Sequence, residues 1–512
     1  MKKNVMNFQM IERSLHDYIG SYESAVMKLQ LSPDDRALQH QAVLALARMG
    51  ALDLALSEYE RYGLSNVRHH EDIMALGARL SKDLYLTAKG AAAKQHSLNS
   101  AQQYEVAYKE TEGYYSGINS ATMALLADMP EDIVKTRAQH IKKVLPPTKN
   151  LTPTDYYFIE ATRAECCLLL NDINGAVKSL RRALEFDPLN YTAHTTTLKQ
   201  FRLIQTKKSA PMAWLKEFAP PRPAHYAGHI WNQNTPPKSP AYDDMLIKIS
   251  DTIQQNDIGY GFGALAAGAD IVIAERLIQE GAELHVVLPS GANSFVESSV
   301  RPFGEEWVTR FNACMKAAKS VKTMSLSRQA TDQDLYLIAG DVAMGQAILK
   351  GQQFDVTPSQ VLLHDERIKN SMTSLHAAKW LDAGLTQIML PVSIMSSKKN
   401  NEEREMPKSL DIVMGVTGSA ETQTFSKLKD AIEASRLHFA QSDQRTIALV
   451  YANDDVDERL GALTEKGLPR SILLSDEIAS SIALSQRAEN VMYAGIVNGA
   501  NDVMEHVYTL RN

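Results

Sequence analysis

The run DIGYGFGALAAGADIVIAERLIQEGAELHVVLP, residues 257–289, constrains the fold of this chain more than any other stretch. Glu283–Leu288 is rich in Val and Leu with little alternation, as a parallel strand covered on both faces requires, and Pro289 stops it. Before it, Ile271–Gln279 places Ile273, Ala274, Leu277 and Ile278 on one arc of a helical wheel and Glu275, Arg276, Gln279 and Glu280 on the other. The reading is strand, glycine turn, helix, strand. Gly259, Gly261, Gly263 and Gly268 crowd the turn at the carboxyl end of the first strand. Open α/β sheets bind ligands at that edge, where a helix N-terminus offers free N–H groups to a phosphate. The order GYGFGALAAGAD is neither a P-loop nor a dinucleotide fingerprint in its usual setting, so close helix–strand packing explains the glycines equally well.

A chain of 512 residues, 44% hydrophobic and 22% charged, holds two to four globular domains. Its net charge of −6, without a concentrated Lys/Arg block, excludes nucleic acid as an expected partner. Cys166 and Cys167 are adjacent and Cys314 stands apart, so neither a disulfide framework nor a metal site has its spacing. The N-terminus lacks the uninterrupted apolar run of a signal peptide, and no apolar run of roughly 18 residues exists to cross a membrane. A cytoplasmic protein is expected.

Residues 1–208 read as successive helices, and two windows fit the tetratricopeptide repeat pattern. Gly50, Ala55 and Tyr59 occupy its small-residue and large apolar positions in one; Ala164, Ala176, Leu180, Ala183 and Pro188 do so in the other. Such units bury their apolar faces only by stacking, which creates a surface for a protein partner. Between them, Tyr114, Tyr115, Gly117, Ile118 and Asn119 form a Tyr-Tyr-x-Gly-Ile-Asn segment. In this it resembles the TRAFs-binding region of the apoptosis signal-regulating kinases and their bacterial relatives. No kinase motifs follow.

A Pro-rich passage, FAPPRPAHYAGHIWNQNTPPKSP, marks a boundary, and within it His225–Trp231 suits a strand carrying Gly228 and His229. From there Gly-Ala-Asp and Ala-Glu within 257–289, then Phe295–Val300, then Gly304–Phe311 with Trp307, follow in the order of the SLOG and nucleoside-deoxyribosyltransferase-like group. The resemblance spans Ala224–Val392 and implies a Rossmann-like domain over 222–395. Helices are expected at Asp334–Lys350 and Leu375–Ala383, and strands at Gln360–Leu363 and Gln387–Val392. Where relatives carry Trp-Asp-Gly and Gly-Thr, this chain has His364-Asp365-Glu366 and Met372-Thr373, which removes two glycines from the expected ligand edge.

Ser396–Met406 is a charged linker, and residues 407–512 resemble a shortened class III nucleotide cyclase domain at Phe425–Leu428, Leu468–Ser475 and Tyr493–Leu510. A cyclase needs an aspartate at the end of its first strand to hold magnesium, and Gly415 stands in that region. The resemblance therefore implies a pseudo-domain that forms a homodimer, without cyclase activity.

The fold expected is multidomain: an N-terminal helical solenoid, a central Rossmann-like parallel sheet, and a C-terminal small α+β domain. As a ligand edge it would use Gly228, His229, Gly261, Gly263, Gly268 and Thr373. Cleavage of an N-glycosidic bond would need a carboxylate beside the anomeric carbon, and the candidates are Asp270, Asp365 and Glu275. Asp270 falls on the apolar arc of its helix; helix capping explains it as well. Glu275 lies about 140° around from it. His229 could donate to a base or phosphate, or be structural. The function expected is a signalling or stress-response protein that couples a partner platform to a nucleotide- or nucleoside-derived ligand, without cofactor or metal. The alternatives are an N-glycosidase and a scaffold without ligand.

Overall fold

The computed structural model describes residues 17–147, 151–231, 239–328, 333–368, 371–392, 410–419, 421–441, 445–452, 454–466, 468–487, 491–498 and 504–510. The expected linker Ser396–Met406 lies outside them. The chain divides into two compact units, one of residues 6–220 with 494–496, the other of 1–5, 221–493 and 497–512.

The first unit is built of α1 (Tyr18–Leu29), α2 (Arg36–Arg48), α3 (Leu52–Arg61), α4 (Glu71–Thr87), α5 (Gly90–Thr111), α6 (Tyr114–Leu126), α7 (Glu131–Val144), α8 (Pro153–Leu169), α9 (Ile173–Phe186) and α10 (Tyr191–Lys207). Helix α9 shows why the sequence folds this way. Asp172 caps it by accepting from the Gly175 N–H, and Ala176, Leu180 and Ala183, one and two turns apart, are fully buried. Ala164, equally buried, lies on the partner helix α8, so small residues let the two axes approach. In the other repeat window Gly50 turns the chain at φ 79°, and Tyr59 fills the space that a side chain at Gly77 of α4 would take. Gly117, in the Tyr-Tyr-x-Gly-Ile-Asn segment, does the same for Tyr108 and Ile141, bringing α6 onto α7.

Successive even-numbered helices touch (α2 to α4, α4 to α6, α6 to α8, α8 to α10), whereas among the described residues no successive odd-numbered helices pack to that extent. The even-numbered helices therefore form one continuous layer.

The second unit begins with a six-stranded parallel sheet in the order β4-β3-β2-β1-β5-β6. Its elements are β1 (Arg222–Gly228), α11 (Pro240–Gln255), β2 (Ile258–Gly263), α12 (Ala269–Gln279), β3 (Glu283–Leu288), α13 (Ala292–Ser299), α14 (Glu305–Ala317), β4 (Ser320–Thr323), α15 (Gln333–Phe354), β5 (Ser359–His364), α16 (Met372–Asp382) and β6 (Thr386–Pro391). Helices α11, α12 and α14 share one apolar cluster with Ala224, Tyr226, Leu284 and Val286 of the sheet. Helix α15 lies across β1, β2 and β3, and α16 packs on β5 and β6. β1 is central, and strand order reverses between it and β5.

Two departures from the sequence reading have local causes. β1 starts at Arg222, whose N–H donates to Asp257, and ends at Gly228 instead of Trp231. Beyond Gly228 the chain turns across the start of α12, where Ile230 bridges Gly268 and the Trp231 N–H donates to Ala267. β4, Ser-Val-Lys-Thr, has no apolar run to announce it, because as an edge strand it is largely uncovered.

The same unit holds a mixed sheet, β11-β12-β10-β9-β7-β8. It comprises β7 (Ile412–Val416), β8 (Gln423–Phe425), α17 (Leu428–Gln441), β9 (Thr446–Tyr451), α18 (Val456–Thr464), β10 (Ser471–Ser475), α19 (Asp476–Ile482), β11 (Val491–Asn498) and β12 (Met504–Leu510). Gly415 sits within β7 facing Leu460. The two sheets meet where α15 packs on α19: a side chain at Gly345 would enter the backbone of Ser480. Beside this contact Lys322 of β4 pairs with Asp476 at 3.3 Å and Glu477 at 2.8 Å, and Arg459 pairs with Glu477 at 2.7 Å and Glu505 at 3.3 Å. Asp454 accepts from the N–H groups of Leu326 and Ser327 and from the hydroxyls of Ser325 and Ser327. This seam occupies part of the surface of the C-terminal segment, the segment through which a homodimer is expected.

Candidate functional site

The carboxyl ends of β1 and β5 flank the point where the strand order of the parallel sheet reverses, the usual ligand crevice of such folds. Gly228 is its hub. Its N–H donates to Asp270 Oδ1 at 2.9 Å, and its carbonyl accepts from Thr373 Oγ1 at 2.9 Å, so the first turns of α12 and α16 both converge on it. Any side chain at Gly228 would strike Ala269, at 2.2 Å, and Leu363.

Next to Gly228, the His229 ring lies 5.1 Å from the His364 ring at the end of β5. His229 is buried, its Nε2 has no hydrogen-bond partner among the described residues, and the same holds for Nδ1 of His364. Burial and the neighbouring His364 push the His229 imidazole down to about 4, so it is neutral at physiological pH. The neutral His229 imidazole presents one donor and one acceptor nitrogen, according to tautomer. The Oγ of Ser290, fully buried just past β3, is likewise unpartnered among the described residues.

Asp270 is buried, and its second oxygen accepts from the Ala266 N–H at 3.3 Å. Burial raises its carboxyl to about 7, against the pull of these two backbone donors. Between the ordinary aspartate value near 3.9 and about 7, the folded chain keeps this proton while the unfolded chain loses it, so folding stability falls as pH rises through that window. Asp270→Asn removes that slope: urea titrations across the window should show a flatter pH dependence than wild type, and an unchanged slope would mean that Asp270 is ionised in the folded chain.

Glu275 stands apart from this group. It forms a two-pronged pair with Arg310 of α14, at 2.8 and 2.5 Å, and the guanidinium lies 4.3 Å from the Trp307 ring centroid. Asp365 is buried and bound by Arg367 through both the side chain and the backbone N–H. The glycines of the turn meet protein: Gly261 meets Leu277, Gly263 meets the ring and carbonyl of Tyr226, and Gly268, at φ 108°, meets Trp231. The first amide of α12, at Ala269, donates to the His229 carbonyl. These contacts are the close packing that the glycine pattern allowed as its alternative. A hollow of about 510 Å³ opens elsewhere, at the amino ends of β5 and β6 beside Gln352, Thr357 and Leu385, away from every residue expected to bind or react.

The sequence reading did not select His364 or Ser290 as site residues. For His364 a signal was present, since it directly precedes Asp365 at a strand end. Ser290 follows Pro289 with nothing to mark it.

A family model described as Tetratricopeptide Repeats-Sensor matches residues 17–124, which cover α1 to most of α6. The N-terminal unit is a tetratricopeptide-like repeat array. No curated protein matches the chain. Among solved structures, a lysine-to-methionine mutant of the Thermobaculum terrenum O-GlcNAc transferase is similar over 62% of this chain and 75% of its own, at 10% identity and a TM-score of 0.18. That score carries no argument about fold or activity. Arrays of this kind generally serve as platforms for protein interaction, and no helix among the described residues is long and apolar enough to cross a membrane.

Proposed function

We propose that the chain is a signalling or stress-response protein in which the repeat array engages a protein partner and the parallel-sheet unit binds a nucleotide- or nucleoside-derived ligand at the β1–β5 crevice. The observation that carries this reading is the pair of adjacent imidazoles, His229 and His364, each with a ring nitrogen left unpartnered by the described residues, at the point where strand order reverses. Buried polar atoms are rarely left so, and a ligand edge is where they are tolerated. Thr373 and Asp365 border the same crevice. Binding is favoured over turnover because Asp270 is held by two backbone donors, Asp365 by Arg367, and Glu275 by Arg310.

The alternative, a nucleoside or nucleotide N-glycosidase, draws on one observation: the raised carboxyl of Asp270, a feature shared with general acids. A panel of nucleosides, nucleotides and NAD separates the readings. Binding predicts a thermal shift without release of free base, abolished in His229→Ala. Base release lost in Asp270→Asn supports the hydrolase, and a chain that responds to no ligand is a scaffold. The expected homodimer through residues 407–512 is checked by the mass of the full chain in solution.

A further inference from the structure

The face of the parallel sheet turned toward α15 carries a row of aromatic and titratable side chains. Gly261 meets Leu277 of α12, so Tyr260 and Phe262 on either side of it point to the opposite face, and Glu283 and His285 join them there from β3. The His285 ring stacks on Phe262 at 4.6 Å and on Tyr260 at 6.5 Å between centroids, and the Tyr260 ring lies 5.4 Å from that of Phe354 on α15. Lys350 of the same helix ends the row: its Nζ is 4.9 Å from the Tyr260 centroid and 4.6 Å from that of Phe354.

The other lysines around this helix have carboxylates. Lys322 pairs with Asp476 and Glu477, and Lys379 with Asp341 at 2.6 Å. Lys350 is half-buried and, among the described residues, has neither a hydrogen-bond acceptor nor a carboxylate within ion-pair distance. Glu283, the acid of this row, is turned to His285 Nε2 at 3.5 Å. The Lys350 nitrogen is not among the fully enclosed, unpartnered polar atoms, so it keeps contact with solvent. Two ring faces attract an ammonium weakly, whereas burial without a paired acid penalises it more. The amine is pushed down to about 8 by that burial, against the charge of Glu283.

We propose that Lys350 is an acylation site whose neutral amine accepts an acyl group from a small acyl phosphate. The Nζ lone pair attacks the carbonyl carbon, the amide C–N bond forms and the C–O bond to phosphate breaks. Phosphate leaves with the electron pair, and the proton lost from nitrogen goes to water. An acyl phosphate is the apt donor because it reacts with free amines in water and needs no binding groove. The product suits its surroundings, since an uncharged amide between two rings no longer carries the burial penalty of an ammonium. This site lies under α15 and is independent of ligand binding at the β1–β5 crevice.

The test is incubation of the full chain with acetyl phosphate across the neutral-to-alkaline range, with acetylation of each lysine followed by peptide mass spectrometry. At pH 8 about half of this amine is neutral, against well under about 1% of an ordinary lysine. A less basic nucleophile is intrinsically slower, which takes back about a factor of ten by the slope found for thiols. Lys350 is therefore acetylated about tenfold faster than the exposed Lys316, and by a wider margin than the paired Lys322 and Lys379. Its rate is half-maximal near pH 8. His285 and His506, both lowered by burial, and Lys322, held protonated by Glu477 and Asp476 against its burial, do not titrate in that range. Glu283→Gln removes the opposing charge and moves the half-maximum to lower pH, and unfolding in urea abolishes the preference for Lys350. The proposal is overturned if Lys350 reacts no faster than Lys316, if its rate follows the pH profile of an ordinary lysine, if Glu283→Gln slows it, or if the preference survives in urea.

Discussion

Glu477→Ala lowers the stability of the α/β unit by about 3–5 kcal/mol, the usual cost of stranding buried charge. Glu477 accepts from two cations, Lys322 and Arg459, and all three side chains are largely buried between the sheets. With it gone, two positive charges face each other across the seam with only Asp476 and Glu505 beside them. Glu477→Gln keeps the volume and loses the charge; it should destabilise almost as much, and wild-type stability in that variant would remove electrostatics from the explanation. The pH dependence follows in sign. Arg459 and Lys322 hold the Glu477 carboxyl well below the usual glutamate range, against its burial. Its contribution is therefore complete above the unfolded value near 4.3 and is lost as pH falls through the folded one. Acid titration followed by circular dichroism should show the wild type losing stability below about pH 4.3 more steeply than Glu477→Ala.

Gly345→Leu separates the two sheets. A Cβ there would sit 2.2 Å from the Ser480 carbonyl oxygen and 2.4 Å from its carbon, atoms of a helix backbone that cannot swing aside. Overpacking costs about 1–3 kcal/mol where side chains can adjust; here adjustment means moving α19 off α15, so a loss of about 3 kcal/mol or more is expected in urea titrations. Gly345→Ala should already show a large part of it. If the alanine variant matches wild type, the close approach of α15 and α19 is not what joins the sheets.

What could be read from the sequence was local. Val-rich β3 and the amphipathic α12 declare themselves within a dozen residues, and the burial of Asp270 follows from its place on the apolar arc. The alanines and Leu180 of α9 likewise fixed the repeat before any partner helix was known. What could not be read depended on remote partners. Gly263 suits a phosphate as well as it suits Tyr226, and only the register of β1 beside β2 decides between them. His364 gains interest only because β5 lies beside β1. Lys322, on an exposed edge strand, has the composition of a solvated residue until α19 brings Asp476 and Glu477 to it.

The bare contact between Gly345 and Ser480 has a mechanical consequence. At Gly345 the two helices meet backbone to backbone, and the neighbouring Gln346 of α15 donates to Asp476 of α19 at 2.7 Å, so the junction is held on both sides. The mixed sheet can only tilt or slide together with α15, and α15 is the beam laid across β1, β2 and β3. A displacement of α19 is therefore expected to load α15, and through it the face of β1, β2 and β3.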